Sequence, residues 1–233
     1  LIKYLAIGLE NLANQRHNLT YGRIEAEVFA LCGEYETEEE VYGLIEKHIE
    51  IIKSYNRNFD LVPNFGVYFL DDLTLSPGVM LDRATLAAKE CKGNYIDTVG
   101  VFKPEMSMRL EKEQEIVNEM VQALQEEQFI VYLQPKYSLE TNAPAGAEAL
   151  VRWMHPVKGM VSPGLIIPVF EKNGFIERLD HYVWEVICKY LRKWIDEGIK
   201  PHPISVNISR VDLYNPQIVE FIIGLVDKYN IPH

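Results

Sequence analysis

The stretch GAEALVRWMHP, residues 146–156, decides how the second half of the chain folds. Side chains alternate between the two faces of a strand. Ala147, Ala149, Val151 and Trp153 therefore share one face, and Glu148, Leu150 and Arg152 share the other. The first face suits a covering layer of helices. The second sets a carboxylate and a guanidinium in a segment that otherwise reads as buried. A direct ion pair between them is out of reach, because four residues of strand rise about 13 Å. Each charge needs some other partner, since a lone buried charge costs several kcal/mol.

The neighbouring strand-like segments follow the same rule. In FIVYLQPK, Gln134 lies with Tyr132 and Ile130, opposite Phe129, Val131 and Leu133. In ISVNIS, Ser205, Asn207 and Ser209 share a face, opposite Ile204, Val206 and Ile208. The polar faces thus gather Glu148, Arg152, Asn207 and Gln134. If the strands curve into a barrel, these groups converge near its strand ends. A carboxylate with an amide oxygen makes a hard ligand set suited to Mg²⁺, Mn²⁺ or Ca²⁺. A guanidinium and an amide suit a phosphate and a base edge. A purely structural role for these charges is the competing reading.

Around this segment, strands are expected at 129–137 and 145–154, helices at about 163–173 and 175–197, a strand at 203–209 and a helix at 215–229. On the 175–197 helix, Ile176, Leu179, Val183, Val186, Ile187, Tyr190 and Trp194 fall on one side. Strand–helix alternation predicts an α/β fold with parallel pairing. Residues 104–127 read as a charged helix whose modest apolar stripe is Leu110, Ile116, Val117, Met120 and Leu124. We take it as a connector, solvated in preference to a dimerising coiled coil. Before it, helices are expected over 1–13, 37–55 and 76–93, and strands over 23–32, 61–72 and 95–102. Thr37 and Ser76 stand as helix caps, with Pro77 at a first helical position.

Composition bounds the function. The chain has 233 residues, 48% hydrophobic and 24% charged, which is ordinary for globular domains. Its formal net charge is −11, all of it carried by residues 1–127, while residues 128–233 balance. The first part is a poor host for a nucleic-acid polymer. Cys32, Cys91 and Cys188 have no metal-type spacing and read as reduced thiols of a cytoplasmic protein. No apolar run of about 18 residues suggests a membrane span. The chain opens on Leu1, so the native N-terminus is expected to lie upstream, and targeting or membrane attachment through it is not read from this sequence.

Residues 128–233 resemble the first half of an EAL domain, the cyclic-di-GMP phosphodiesterase family. The resemblance rests on Glu148-Ala149-Leu150 with Arg152, on Gln134-Pro135, on the SPxxxIPxxE run that ends at Glu171, and on SVNIS with Asn207. It implies a modified (β/α)₈ barrel of a bacterial signalling protein. It implies Glu148 and Asn207 as metal ligands and Arg152 on a ligand phosphate. Gln134 and Leu150 would line the dinucleotide pocket, and Glu171 would be an outer or structural carboxylate. Hydrolysis to pGpG would use Mg²⁺ or Mn²⁺, with Ca²⁺ inhibitory. The family's further ligands, a glutamate of an ExTE-type strand, a paired aspartate, a lysine and later glutamates, are not found before the sequence ends at His233. A (β/α)₈ barrel takes about 200–250 residues. The expectation is therefore an incomplete barrel with an unpaired strand edge, covered by a second copy of the chain or by other segments.

Residues 1–103 resemble the C-terminal half of a GGDEF domain, the diguanylate cyclase fold. RIEAEVFALC aligns with RxGGDEFALL, and MLDRATLAAKECKGN with the family's LLxRADxALYxAKxxG. The signature is degenerate: Glu25-Ala26-Glu27-Val28-Phe29 lacks both glycines, and Val28 cannot ligate a metal. His17 and Thr20 stand where an RxxD inhibitory site would be. Glu27 is either a surviving ligand or a solvent-facing hairpin carboxylate. The resemblances imply a protein whose EAL part hydrolyses cyclic-di-GMP and whose GGDEF-like part is regulatory. The alternative is a receptor or scaffold without turnover. The chain by itself is expected to be inactive.

Overall fold

The computed structural model describes residues 2–14, 18–54 and 61–232, so His17 lies outside the described residues. The fold is mixed α/β, in two compact units, Leu1–Arg109 and Leu110–His233.

In the first unit, α1 (Ile2–Asn14) precedes a hairpin of β1 (Leu19–Glu25) and β2 (Val28–Gly33). The single strand expected over 23–32 is thus two strands, because the chain turns at Ala26 with φ 38°. Next comes α2 (Glu38–Ser54), where Thr37 Oγ1 accepts from Glu40 N at 3.4 Å and Glu40 Oε2 accepts from Glu36 N at 2.8 Å. The strands expected over 61–72 and 95–102 contract to β3 (Phe65–Val67) and β4 (Val99–Val101), a parallel pair. Between them α3 (Pro77–Glu90) starts at Ser76, whose hydroxyl accepts from Val79 N. Gly66 and Gly100 are paired in register. A Cβ on Gly66 would lie 1.8 Å from Ala84 O, and one on Gly100 would lie 2.2 Å from Ala87 O. Glycine at both places lets the backbone of α3 rest directly on the strands.

The unit boundary falls within α4 (Pro104–Gln125), the helix read as a connector. Its Ile116 and Ala123 are buried in the core of the second unit.

That unit contains a four-stranded sheet. β5 (Phe129–Tyr137) pairs antiparallel with β6 (Pro144–His155), in a register that runs from Phe129↔Trp153 to Lys136↔Gly146. β7 (Gly159–Val161) pairs antiparallel with one end of β6, and β8 (Ile204–Ser205) pairs parallel with the other. The expectation of parallel pairing therefore fails between the two long strands. Their connection, residues 138–143, is too short for the crossover of a dozen or more residues that a parallel pair requires. The sheet does not close into a barrel among the described residues, and β8 has no strand on its other side. The strand expected over 203–209 is shorter than expected for that reason. Without a second neighbour, Val206 and Ile208 are exposed and the ladder ends at Ser205.

Helices α5 (Pro163–Asn173) and α6 (Ile176–Asp196) cover one face of the sheet. Ser162 caps α5 and Gly174, at φ 78°, ends it. Phe129 and Trp153 from the sheet pack with Ile166, Phe170, Phe175 and Leu179. Val131 and Ala149 pack with Trp184 and Ile187 of α6 and with Leu225 of α8 (Ile218–Lys228). A short helix α7 (Arg210–Leu213) starts at Ser209 and supplies Asp212, which is fully buried. Among the described residues no helix is long and apolar enough to cross a membrane.

Two outcomes follow from this packing. Phe170 is completely buried beside Phe129 and Phe175. Phe170→Ala should destabilise the second unit by about 3–5 kcal/mol in chemical denaturation, the cost of the lost transfer energy and the cavity. In the first unit, burial holds the His48 imidazole below its ordinary value, and its Nδ1 is buried without a hydrogen-bond partner. The unfolded chain then takes up a proton at a pH where the folded unit does not. Stability should fall as pH drops from about 7 to about 5. Amide hydrogen exchange in α2 should record that loss, and His48→Leu should flatten it.

Candidate functional site

The face of the sheet away from α5 and α6 carries the polar residues. Register places Gln134 opposite Glu148, and Glu148 opposite Ser205, so one row crosses β5, β6 and β8. Along β6, Leu150 faces Tyr132 and Arg152 faces Ile130 on the same side. Glu148, Leu150 and Arg152 are half-buried, while Gln134 is exposed.

Asn207 joins this row although it lies beyond the strand. Its Nδ2 donates to Glu148 Oε1 at 3.4 Å, and its backbone carbonyl accepts from Trp184 Nε1 at 3.0 Å. The indole reaches out from the helix layer and fixes the loop that carries the amide. Arg152 Nη1 donates to Val151 O at 2.8 Å, and its guanidinium lies 5.7 Å from the centre of the Tyr132 ring. Neither Glu148 nor Arg152 forms an ion pair among the described residues, which leaves a carboxylate and a guanidinium at two ends of one face. Lys136 Nζ donates to Ser205 Oγ at 2.8 Å and adds a second cation beside the row.

Glu148 and Asn207 are thus brought together, with Gln134 in their row and Leu150 and Arg152 further along β6. Glu171 is not among them. It stands exposed on α5, whose buried residues Ile166, Val169 and Phe170 pack against the other face of the sheet. Sequence reading placed Tyr132 beside Gln134 without giving it a role, and missed Lys136 and Trp184. Lys136 could have been found, since it alternates with Tyr132 and Gln134 on the exposed side of β5. Trp184 could not, because its bond to Asn207 is purely tertiary.

A second polar group also escaped notice. Asp180 and His181 of α6 meet Ser209 and Asp212: Ser209 N donates to Asp180 Oδ2 at 3.1 Å, and Ser209 Oγ donates to Asp212 Oδ2 at 2.5 Å. Burial, and then the neighbouring Asp212 carboxylate, push Asp180 up to about 7. A signal existed, since Asp180 lies four residues from both Ile176 and Trp184 on the buried side of α6.

Residues 117–233 match the family model described as EAL domain. The chain belongs to the EAL domain family. The match takes in the part of α4 that contributes Ala123 to the core. The EAL signature residues Glu148-Ala149-Leu150 sit at the middle of β6, between β5 and β8. The chain is 24% identical over 214 residues to the bifunctional diguanylate cyclase/cyclic di-GMP phosphodiesterase MucR of Pseudomonas aeruginosa, covering 90% of this chain and 31% of that protein. It is 31% identical over 155 residues to an uncharacterized signaling protein of Caulobacter vibrioides, covering 66% of this chain and 19% of that protein. The chain thus spans about a third or less of these curated relatives. Among solved structures, the PaMucR phosphodiesterase in complex with c-di-GMP aligns with a TM-score of 0.47 and 29% identity, over 50% of this chain and 47% of that one.

In the first unit, Glu27 occupies the turn of the β1–β2 hairpin and is exposed, where Arg23 Nε donates to Ala26 O at 2.7 Å. No carboxylate or histidine of the described residues joins Glu27 in a cluster able to hold a metal. Ala26 adopts a left-handed backbone at φ 38°, a conformation that costs an L-residue about 1–2 kcal/mol. Ala26→Gly should relieve part of this and stabilise the hairpin by up to about 1 kcal/mol. Slower amide exchange in β1 and β2 would record the gain.

Proposed function

We propose that the EAL domain of this protein hydrolyses cyclic-di-GMP to pGpG. Glu148 and Asn207 hold a divalent cation, Mg²⁺ or Mn²⁺, with Ca²⁺ inhibitory. Arg152 takes a phosphate of the dinucleotide, and Gln134 and Leu150 contact the rest of it. Residues 1–103 form a non-catalytic, regulatory GGDEF-like domain, joined through 104–127 to the EAL domain at 128–233.

One observation carries the reading: the Glu148 carboxylate and the Asn207 amide meet at 3.4 Å on the open face of the sheet. Half a turn of the amide presents its oxygen in place of its nitrogen, giving two hard oxygen donors side by side. The residues present therefore fit a divalent ion. When bound, such an ion polarises a phosphoryl oxygen and lowers the pKa of its water. The protein's own contribution is placement. Trp184 fixes the Asn207 loop, the β5–β6 register fixes Glu148, and the Tyr132 ring supports the Arg152 guanidinium. The name of the relative MucR, a bifunctional diguanylate cyclase/cyclic di-GMP phosphodiesterase, agrees with this reading.

A second reading, a cyclic-di-GMP receptor or scaffold without turnover, is favoured by the same contact read differently: with Asn207 Nδ2 donating to Glu148 Oε1 at 3.4 Å, the two side chains satisfy each other with no ion between them. The open side of β8 also offers a place for a second copy of the chain or another segment.

Electron paramagnetic resonance of Mn²⁺ titrated into the chain should show binding that Glu148→Gln weakens by at least about tenfold. The chain alone should leave cyclic-di-GMP uncut. The intact protein with Mg²⁺ or Mn²⁺ should yield pGpG, and Glu148→Gln should abolish it. Binding of cyclic-di-GMP by the intact protein without cleavage would select the receptor reading. Absence of both binding and cleavage would leave a scaffold.

A further inference from the structure

A second cluster of ligand-type side chains lies away from the Glu148 face. Glu177 and His181 are one turn apart on α6 and so share a side of the helix. Asp212 of α7 comes against them, and one ligand atom from each of the three lies within 4.8 Å of the others.

Acidic clusters are common, but here two buried atoms are left without hydrogen-bond partners. Asp212 is fully buried, and its Oδ1 accepts no hydrogen bond. Its other oxygen is taken by Ser209 Oγ at 2.5 Å. His181 Nε2 is also buried without a hydrogen-bond partner and stands 3.5 Å from Asp212 Oδ1. A buried carboxylate oxygen without a partner is costly. The imidazole cannot swing away to find one. It is stacked on Phe221 with centroids 4.1 Å apart and lies 5.2 Å from the Trp184 ring. Asp180 adds a third carboxylate close by, where it accepts from Ser209 N.

We propose that Glu177, His181 and Asp212 form a site for a transition-metal dication of the Zn²⁺ class. One imidazole nitrogen with two carboxylate oxygens is a ligand set that Zn²⁺ accepts, leaving one position for water. The cation satisfies both buried atoms at once. It ties α7 to α6, and so holds the segment that runs from Asn207 to Asp212. The site shares no residue with the Glu148–Asn207 pair.

The test is calorimetric titration of Zn²⁺ into the untagged, chelator-treated chain carrying Glu148→Gln, with Co²⁺ absorption as a second readout. One Zn²⁺ per chain is expected. Glu177→Gln and His181→Gln, each added to that background, should weaken it by about tenfold or more and remove the Co²⁺ band. Glu177 is partly exposed and the safer replacement. Absence of Zn²⁺ uptake by the Glu148→Gln chain overturns the proposal. So does unchanged uptake in Glu177→Gln, whatever His181→Gln does. Loss of Mn²⁺ binding in Glu148→Gln bears on the first site alone, so the two proposals fail separately.

Discussion

The two-faced character of β6 governs the rest of the second unit. Ala149 and Trp153 are buried under α5 and α6, and this fixes the register of the strand. A slip of one residue would turn Glu148 and Arg152 into the helix layer and expose Trp153. The large aromatic side chains forbid that exchange. Trp153 Nε1 is further bonded to Gln128 Oε1, and Tyr182 donates to the carbonyl of Phe129. The apolar core thus sets where the charges stand, and the open face receives what the core excludes.

The helix layer also reaches through to the loop that carries Asn207. After Ser205 the described residues form no further strand, yet the segment is held in place. Trp184 binds the carbonyl of Asn207, Asp180 binds the amide of Ser209, and Ser209 caps the helix bearing Asp212. All three anchors trace to α6 or to the short helix docked on it. The position of Asn207 opposite Glu148 is therefore a consequence of side-chain bonds from α6 as much as of the sheet.

Much of this was legible in the sequence. Alternation in AEALVRW and FIVYLQPK assigned each side chain to its face, and the apolar side of α6 was read from its helical spacing. The antiparallel pairing of β5 and β6 was missed because strand–helix alternation outweighed the short connection between them. The turn at Ala26 was missed in the strand assignment because no glycine or asparagine marks it. The Asp180–Ser209–Asp212 arrangement joins residues distant in sequence, and only Asp180, on the buried side of its helix, gave notice of it. Asn207 was placed on the right face by alternation, but what holds it there is a loop and an indole rather than a ladder.

The proposed chemistry requires Glu148 and Asn207 to share one cation. Anomalous diffraction from a crystal of the chain soaked in Mn²⁺ tests this most directly. A manganese peak bonded to a Glu148 carboxylate oxygen and to the Asn207 amide oxygen is the expected result. No peak at that position, or an Asn207 side chain turned away from Glu148, would contradict it.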